Sequence, residues 1–181
     1  EIDEQKETSV QGVYIVGDLT GIPLLRLAAD GGTKIVKQLF SDQKATSEKE
    51  ESTDIYDLII VGAGPAGISA AIECKKKKIN YIILESNRIL NTIENFPKGK
   101  PITLKPNGVQ LELPLKMNDG FKETLLEELT TQIEREGLNF EVGTFVQRLS
   151  RKDNIIHIET NKSVYMAEKV VLAIGKAGNS R

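Results

Sequence analysis

The chain contains few of the residue types that specialised redox and metal sites require. Its 181 residues include one cysteine, Cys74, one histidine, His157, and no tryptophan. A single thiol cannot form an internal disulfide or a cysteine-rich metal site, so we expect Cys74 to be a small buried helix residue. His157 alternates with isoleucines, which is typical of a strand residue that faces solvent or a neighbouring strand. We therefore predict no catalytic side chain and no metal site.

Neither the charge nor the aromatic content suits a nucleic-acid-binding surface. The net charge is −2 and aromatic residues make up 5% of the sequence, so we expect neither a basic field nor a base-stacking surface. The apolar run over 58–72 is interrupted by three glycines and a proline, which argues against a membrane span. The chain does not open on a signal-peptide pattern, so we expect a cytoplasmic location. A content of 39% hydrophobic and 28% charged residues is typical of a soluble globular domain.

The stretch over 56–85 carries the strongest pattern in the sequence. An apolar run of strand length at 58–61 leads directly into the sequence GAGPAG at 62–67. A strand that turns sharply into a helix needs one glycine for the turn, a second so that the backbone can approach a diphosphate, and a third for close helix packing. The helix would direct its unpaired N–H groups and positive dipole end at that diphosphate. The predicted phosphate-binding residues are Gly62, Gly64, Pro65, Ala66 and Gly67.

Glu85 completes this pattern. It follows a second apolar run at 81–84 and lies 18 residues after Gly67. A carboxylate at this strand end can accept hydrogen bonds from both hydroxyls of an adenosine ribose. It would also repel a 2′-phosphate on that ribose, so FAD or NAD fits this site better than NADP.

Residues 8–18, TSVQGVYIVGD, form a second pattern of turn, buried strand and polar end. A strand is predicted over 13–16, with Gly17 and Asp18 at the sheet edge that the glycine turn also uses. An Asp18 that merely caps a helix or is solvated remains an alternative interpretation. A helix is predicted over 23–39, where Gly31 and Gly32 indicate close packing. Residues 41–55 are predicted to be a flexible linker.

The remaining chain alternates irregular and regular segments. Residues 86–115 are rich in Pro, Gly and Asn and predict a long loop with brief strands, of the kind that reaches over a ligand. An amphipathic helix is predicted over 121–136, with Phe121, Leu125, Leu129 and Ile133 on its buried stripe and Gly137 as its stop. The predicted strands that follow are 139–142, a meander at 145–149, 155–160 and 164–166, and a buried strand at 169–174 that ends at Gly175. A strand that closes on glycine is a place where backbone can lie against a ligand.

Three strand-end patterns resemble those of a known family: GAGPAG with Glu85, VVLAIG at 170–175 and GVYIVGD at 12–18. The segment IENFPKG at 93–99 and the closing run from 119 resemble the same family. The chain is similar to thioredoxin-reductase-like pyridine nucleotide-disulfide oxidoreductases, in the branch related to bacillithiol disulfide reductase, over 8–39 and 56–181. The resemblance implies an α/β fold, a three-layer FAD/NAD(P)-binding (Rossmann-like) domain. Its parallel sheet would have helices on one face and a small antiparallel meander on the other.

The resemblance also implies a cofactor and residue roles. The three glycines would hold the FAD pyrophosphate, and Glu85 the adenosine ribose. Gly17 and Asp18 would bind the ribityl and pyrophosphate region, and Asn95 would lie near the isoalloxazine. In the whole enzyme NAD(P)H would pass hydride to the flavin, which would then reduce a disulfide or another redox partner. The resemblance leaves a homodimer open.

The order of the segments departs from the family pattern. In the family the GVYIVGD segment lies near the C-terminus, after an NAD(P)H-binding domain, whereas here it comes first and no second GxGxxG appears. The chain stops about where the family would enter that domain, so we expect the FAD domain only. No cysteine pair follows Glu85, which excludes the glutathione-reductase type of active site. Residues 1–40 either complete the FAD domain of 56–181 in permuted order or are the tail of a preceding module.

We favour the permuted arrangement, because a strand and one helix cannot bury enough surface alone. It predicts that the strand over 13–16 shares the sheet of the strand over 58–61 and lies beside it. Two other functions remain as alternatives. One is a nucleotide-binding regulatory or interaction module without turnover, and the other is a single-domain NAD-dependent dehydrogenase.

Overall fold

The computed structural model describes residues 3–21, 24–41, 54–106 and 108–175. Pro23 and most of the predicted linker, 42–53, lie outside these residues. No helix in the described ranges is long and apolar enough to cross a membrane. The helices are α1 (Leu25–Leu39), α2 (Pro65–Lys76), α3 (Asn91–Glu94) and α4 (Lys122–Glu136), with a 3-10 helix at Gly17–Thr20. The strands are β1 (Val13–Ile15), β2 (Ile55–Val61), β3 (Tyr81–Glu85), β4 (Pro101–Ile102), β5 (Gly120–Phe121), β6 (Phe140–Val142), β7 (Val146–Lys152), β8 (Ile155–Thr160) and β9 (Val164–Leu172).

Parallel strands form the centre of the sheet. In the described part of the chain, their order is β6-β3-β2-β9-β1. The strand at 13–15 therefore shares a sheet with β2, but the prediction that the two are neighbours is wrong. Val13 pairs with Val170 of β9, and β9 also pairs with β2 on its other side. Val170 and Val171 point to opposite faces and are both fully buried, and a strand buried on both faces belongs in the centre of a sheet.

The antiparallel meander is continuous with this sheet. β7 pairs with β8, and β8 pairs with the first half of β9, from Val164 to Ala167. The sequence predicted a third meander strand at 164–166 and a separate strand from 169, but β9 is one strand of nine residues. No glycine or proline interrupts it, so the strand continues while its edge partner changes from β8 to β1.

The two faces of the sheet bury different sets of side chains, as the alternation of a strand requires. Along β2, Ile60 packs among α1 and α2. Its neighbour Ile59 packs on the opposite face with Ile156 and Ile158 of β8. The result is a helical layer, a sheet and a meander layer, which confirms the predicted fold class.

Helices α1 and α2 pack closely through a glycine. A Cβ built on Gly32 would lie 2.0 Å from the carbonyl oxygen of Ala66, so no larger residue fits there. At Gly31 the nearest heavy atom to such a Cβ would be 3.8 Å away. The predicted close packing is therefore confirmed at Gly32. It brings the middle of α1 against the first turn of α2.

The segment after α3 also holds α1 in place. Arg26 donates from Nη2 to the carbonyl oxygen of Met117 at 3.2 Å. The N–H of Glu112 donates to Oδ1 of Asp30 at 2.8 Å. These contacts join residues 25–39 to a part of the chain that lies 82 to 91 residues away in sequence. Phe121 differs from its prediction: it precedes α4 as the N-cap and is 58% exposed, so the buried stripe begins at Leu125.

Candidate functional site

A cavity of about 370 Å³ opens at the carboxyl ends of the parallel strands. This edge is where open α/β sheets bind ligands, because the turns that leave neighbouring strands meet there. Eight of the residues predicted for cofactor binding line it: Gly17, Asp18, Gly62, Gly64, Pro65, Ala66, Glu85 and Gly175. The structure thus brings together residues from four strand ends.

The three glycines of the turn have different surroundings. Gly62 has φ of 105°, and a Cβ there would lie 2.6 Å from the carbonyl oxygen of Ala173. A Cβ on Gly67 would lie 1.9 Å from the carbonyl oxygen of Gly62, so Gly67 packs beneath the turn and does not line the cavity. Gly64 caps α2, and apart from its two chain neighbours no described residue has a heavy atom within 4 Å of a Cβ built on it. The turn is therefore tightly packed at two glycines and open at the third.

The first turn of α2 faces this open position. The helix begins at Pro65, which has no N–H, and the next amides, of Ala66 and Gly67, have no acceptor within a helix. These donors and the positive end of the helix dipole favour an anion at the mouth of the turn.

Glu85 joins the glycine turn to the loop after β3. Its Oε2 accepts the N–H of Ala63 at 2.7 Å, and its Oε1 accepts the N–H of Asn87 at 2.7 Å. The residue is 8% exposed, so its carboxylate is held in one orientation at the cavity wall. Oε1 also accepts the hydroxyl of Ser86 at 3.3 Å, so Oε2 is the oxygen with a further lone pair that can accept a hydrogen bond.

Asp18 lies in the 3-10 helix at the end of β1. Burial raises the pKa of its carboxyl group, and no hydrogen bond to that carboxylate is found among the described residues. Gly17 has φ of 76°, and a Cβ on it would lie 3.1 Å from Cβ of Ala66. The Gly-Asp pair therefore lies directly against the first turn of α2.

The sequence reasoning missed the wall formed by the residues after β6. Thr144 and Phe145 line the cavity, as do Ser86 and Asn87 after β3. Thr144 is 1% exposed, and its Oγ1 has no hydrogen-bond partner in the described part of the chain. β6 was predicted as a strand, and its pairing parallel to β3 would have placed these residues at the binding edge.

The other singled-out residues lie elsewhere. Asn95 ends α3, where its N–H donates to the carbonyl oxygen of Asn91 at 3.0 Å, and it is exposed outside the cavity lining. Cys74 is fully buried in α2, and burial raises the pKa of its thiol. His157 lies on β8. The described ranges contain no cluster of His, Cys, Asp or Glu that could hold a metal ion.

A three-layer α/β fold, a glycine turn before a helix and an acidic residue after the next strand define an FAD/NAD(P)-binding, Rossmann-like domain. The model of one family, described as pyridine nucleotide-disulphide oxidoreductase, matches residues 59–181. The chain belongs to this family.

Relatives and solved structures agree with this assignment. The chain is 46% identical to a thioredoxin reductase from Mycoplasma genitalium over 63 residues, which are 32% of this chain. It is 32% identical to a ferredoxin–NADP reductase from Lactococcus lactis over 122 residues, which are 66% of this chain. It is also similar to the structure of a bacillithiol disulfide reductase from Staphylococcus aureus, with a TM-score of 0.59, 25% identity and 68% of this chain covered. The chain spans 20%, 35% and 39% of the lengths of these three proteins.

Proposed function

We propose that this chain binds FAD and forms the flavin domain of an NAD(P)H-dependent oxidoreductase. The observation that carries the proposal is the meeting of the glycine turn, Glu85 and the Gly17–Asp18 pair in one cavity. An adenosine diphosphate needs only the first two of these features. The third supports a ligand that continues beyond the diphosphate, as both FAD and NAD do, and membership of the pyridine nucleotide-disulphide oxidoreductase family favours FAD.

The residues present fit the adenosine and diphosphate parts of this cofactor. Gly64 leaves open space beside the first turn of α2, where the diphosphate would accept from the helix amides. Glu85 would accept from a ribose hydroxyl with the remaining lone pair of Oε2, since Oε1 already accepts from Asn87 and Ser86. Thr144 lines the same cavity beside Glu85, since its N–H donates to the carbonyl oxygen of Glu85 at 2.9 Å.

Residues 1–40 would belong to this domain in our proposal. The pairing of β1 with β9 and the contact of Gly32 with Ala66 support this assignment. Asp18 would contact the ribityl and diphosphate region. The cost of its partly buried charge is explained if it accepts a hydrogen bond from a ribityl hydroxyl. Asn95 is kept as a proposed neighbour of the isoalloxazine.

In the whole protein the bound flavin would supply a hydride acceptor, and this chain would supply its binding, orientation and electrostatic environment. We propose NAD(P)H as the donor and a redox partner protein or a small disulfide as the acceptor. Cys74 would take no part, because it is buried within α2 and its pKa is raised. A cytoplasmic homodimer is the proposed setting.

Absorption spectroscopy of the purified chain, followed by calorimetric titration with FAD, FMN, ADP and NAD, tests the proposal. We expect one FAD per chain, weaker binding of ADP, and no preference for NAD over ADP. NAD binding without FAD binding would support a dehydrogenase and overturn the proposal. A chain that binds none of these ligands would also overturn it.

The Asp18→Ala variant tests the part that residues 1–40 take in the site. We expect a larger loss of affinity for FAD than for ADP, because Asp18 lies away from the adenosine end. Equal FAD affinity in the variant and the wild type would mean that residues 1–40 do not contribute to the FAD site.

A further inference from the structure

We propose that Phe145 covers the base of the bound nucleotide and that Asn161 is the positioning residue that holds Phe145 in place. This inference rests on the proposed function, since it assigns the adenosine end of the same cavity. Gly143, Thr144 and Phe145 are called the wall segment below.

The exposure of Phe145 is the first observation. Phe145 lines the cavity, is 58% exposed and belongs to neither buried cluster of the described residues. An aromatic ring at the rim of a nucleotide cavity offers a face on which a planar base can stack.

The position of the wall segment ties it to the adenosine end. The N–H of Thr144 donates to the carbonyl oxygen of Glu85 at 2.9 Å, so the segment lies against the proposed ribose-binding residue. In the sheet order, β6 and β3 lie on one side of β2, and β9 and β1 lie on the other. Phe145 and Asp18 therefore contact opposite ends of an extended ligand.

Asn161 binds the wall segment from outside the cavity. Its Oδ1 accepts the N–H of Phe145 at 2.7 Å, and its own N–H donates to the carbonyl oxygen of Phe145 at 3.1 Å. Its Nδ2 donates to the carbonyl oxygen of Gly143 at 3.2 Å. Both peptide groups that flank the Phe145 ring are thus fixed by one residue, which limits the directions in which the ring can point.

The turn that carries Asn161 is itself held by hydrogen bonds. Oγ1 of Thr160 accepts the N–H groups of Lys162 at 3.1 Å and Ser163 at 3.0 Å, and it donates to the carbonyl oxygen of Ser163 at 2.7 Å. Lys162 also donates from Nζ to Oε1 of Glu141 and to the carbonyl oxygen of Val142, each at 2.7 Å. The turn between β8 and β9 is therefore a preorganised support for the cavity wall.

Calorimetric titration of the full chain with ADP and with FAD tests the proposal. We compare the wild type with Phe145→Ala, Phe145→Tyr, Asn161→Ala and the double variant Phe145→Ala/Asn161→Ala. Ser163→Ala is the matched control, because the same turn keeps its backbone hydrogen bonds without that side chain.

Loss of a stacked ring should lower the affinities for ADP and for FAD by the same factor, about 5- to 150-fold, since both ligands carry the base. Phe145→Tyr should keep most of the affinity, and Ser163→Ala should bind as the wild type does. Asn161→Ala should lower the affinities for ADP and for FAD by equal factors. The double variant should bind no worse than Phe145→Ala, because Asn161 acts through the ring.

A spectroscopic measurement separates positioning from a purely structural effect. The near-ultraviolet circular dichroism of saturating bound ADP should change in Asn161→Ala, because a ring that is no longer fixed stacks differently on the base. A variant that only loses stability would keep the wild-type signal when saturated. Wild-type affinity or a wild-type dichroism signal in Asn161→Ala would overturn its role.

The test also separates this inference from the proposed function. If the wild type binds neither ADP nor FAD, the proposed function fails and the inference fails with it. If the wild type binds both ligands and Phe145→Ala binds them equally well, only the inference is overturned.

Discussion

Gly64 and Gly67 lie three residues apart in one turn, yet the structure predicts opposite effects when each is replaced by alanine. A Cβ on Gly67 would lie 1.9 Å from the carbonyl oxygen of Gly62, far inside ordinary contact at 3.4 Å. The start of α2 would have to move away from the end of β2. Overpacking of this kind costs about 1–3 kcal/mol of unfolding free energy. In a chain of this size that lowers the thermal midpoint by roughly 2–12 °C.

Gly64→Ala should leave stability almost unchanged. Its φ of −80° and ψ of −178° suit alanine, and among the described residues only its two chain neighbours come within 4 Å of the added methyl group. Alanine caps a helix less well than glycine, which lowers the folding stability by about 0.5 kcal/mol or more. Alanine also has fewer conformations than glycine in the unfolded chain, which raises the folding stability by about 0.4–1 kcal/mol. These terms offset each other, so the net change should stay within about 1 kcal/mol.

FAD binding should be impaired in Gly64→Ala, although the stability of that variant is almost unchanged. The methyl group of Gly64→Ala would occupy the space through which the backbone approaches the diphosphate, so we expect FAD affinity to fall by roughly tenfold or more. Urea unfolding of both variants gives the stability, and FAD titration below the unfolding transition gives the affinity. Wild-type affinity in Gly64→Ala would place the diphosphate elsewhere. Wild-type stability in Gly67→Ala would refute the tight contact.

Three further changes test other parts of the structure. Asp18→Asn should stabilise the ligand-free chain at neutral pH, because the raised pKa of Asp18 makes its ionised form costly in the fold. That gain should shrink as pH falls through the raised pKa and vanish below about 3.8, the ordinary value, in urea unfolding across pH; a gain that persists there would contradict it. Gly32→Ala should lower the thermal midpoint sharply, since its Cβ would lie 2.0 Å from the Ala66 carbonyl oxygen, while Gly31→Ala serves as the uncrowded control; equal midpoints would disprove the packing of α1 on α2. Cys74 should react with a thiol reagent only after unfolding, because it is fully buried and its pKa is raised; rapid labelling of the native chain would contradict its place in the core.

The position of β1 shows how a segment can join a sheet independently of its place along the chain. Pairing requires an unfilled strand edge and a matching hydrophobic pattern, and neither depends on which segment comes first. β9 offers such an edge at 170–172, and β1 pairs with it there. The N-terminal turn covers the other side of β1, where Ile15 donates to the carbonyl oxygen of Lys6 at 3.0 Å. This arrangement supports our proposal that residues 1–40 complete the domain in permuted order.

The glycine turn and the acidic strand end could be predicted from the sequence because their requirements are local. Gly62 needs a positive φ, Gly67 needs room for a neighbouring carbonyl group, and Glu85 needs only to follow a buried strand. The helix over 122–136 was predictable for the same reason, since its buried stripe recurs at the helical period and Gly137 ends it.

Strand neighbours and the cavity wall depended on the tertiary structure. Nothing in the sequence of β1 distinguishes β9 from β2 as its partner, because both offer buried, apolar, parallel edges. Thr144, Phe145 and Asn161 carry no motif, and their relation arises when β6 pairs with β3 and the β8–β9 turn folds back onto 143–145. The sequence by itself determined the fold class, the phosphate turn and the acidic residue, since each follows from backbone geometry within a few residues. Only the tertiary structure decided which distant segments close the cavity, because that depends on the free energy of packing the whole sheet.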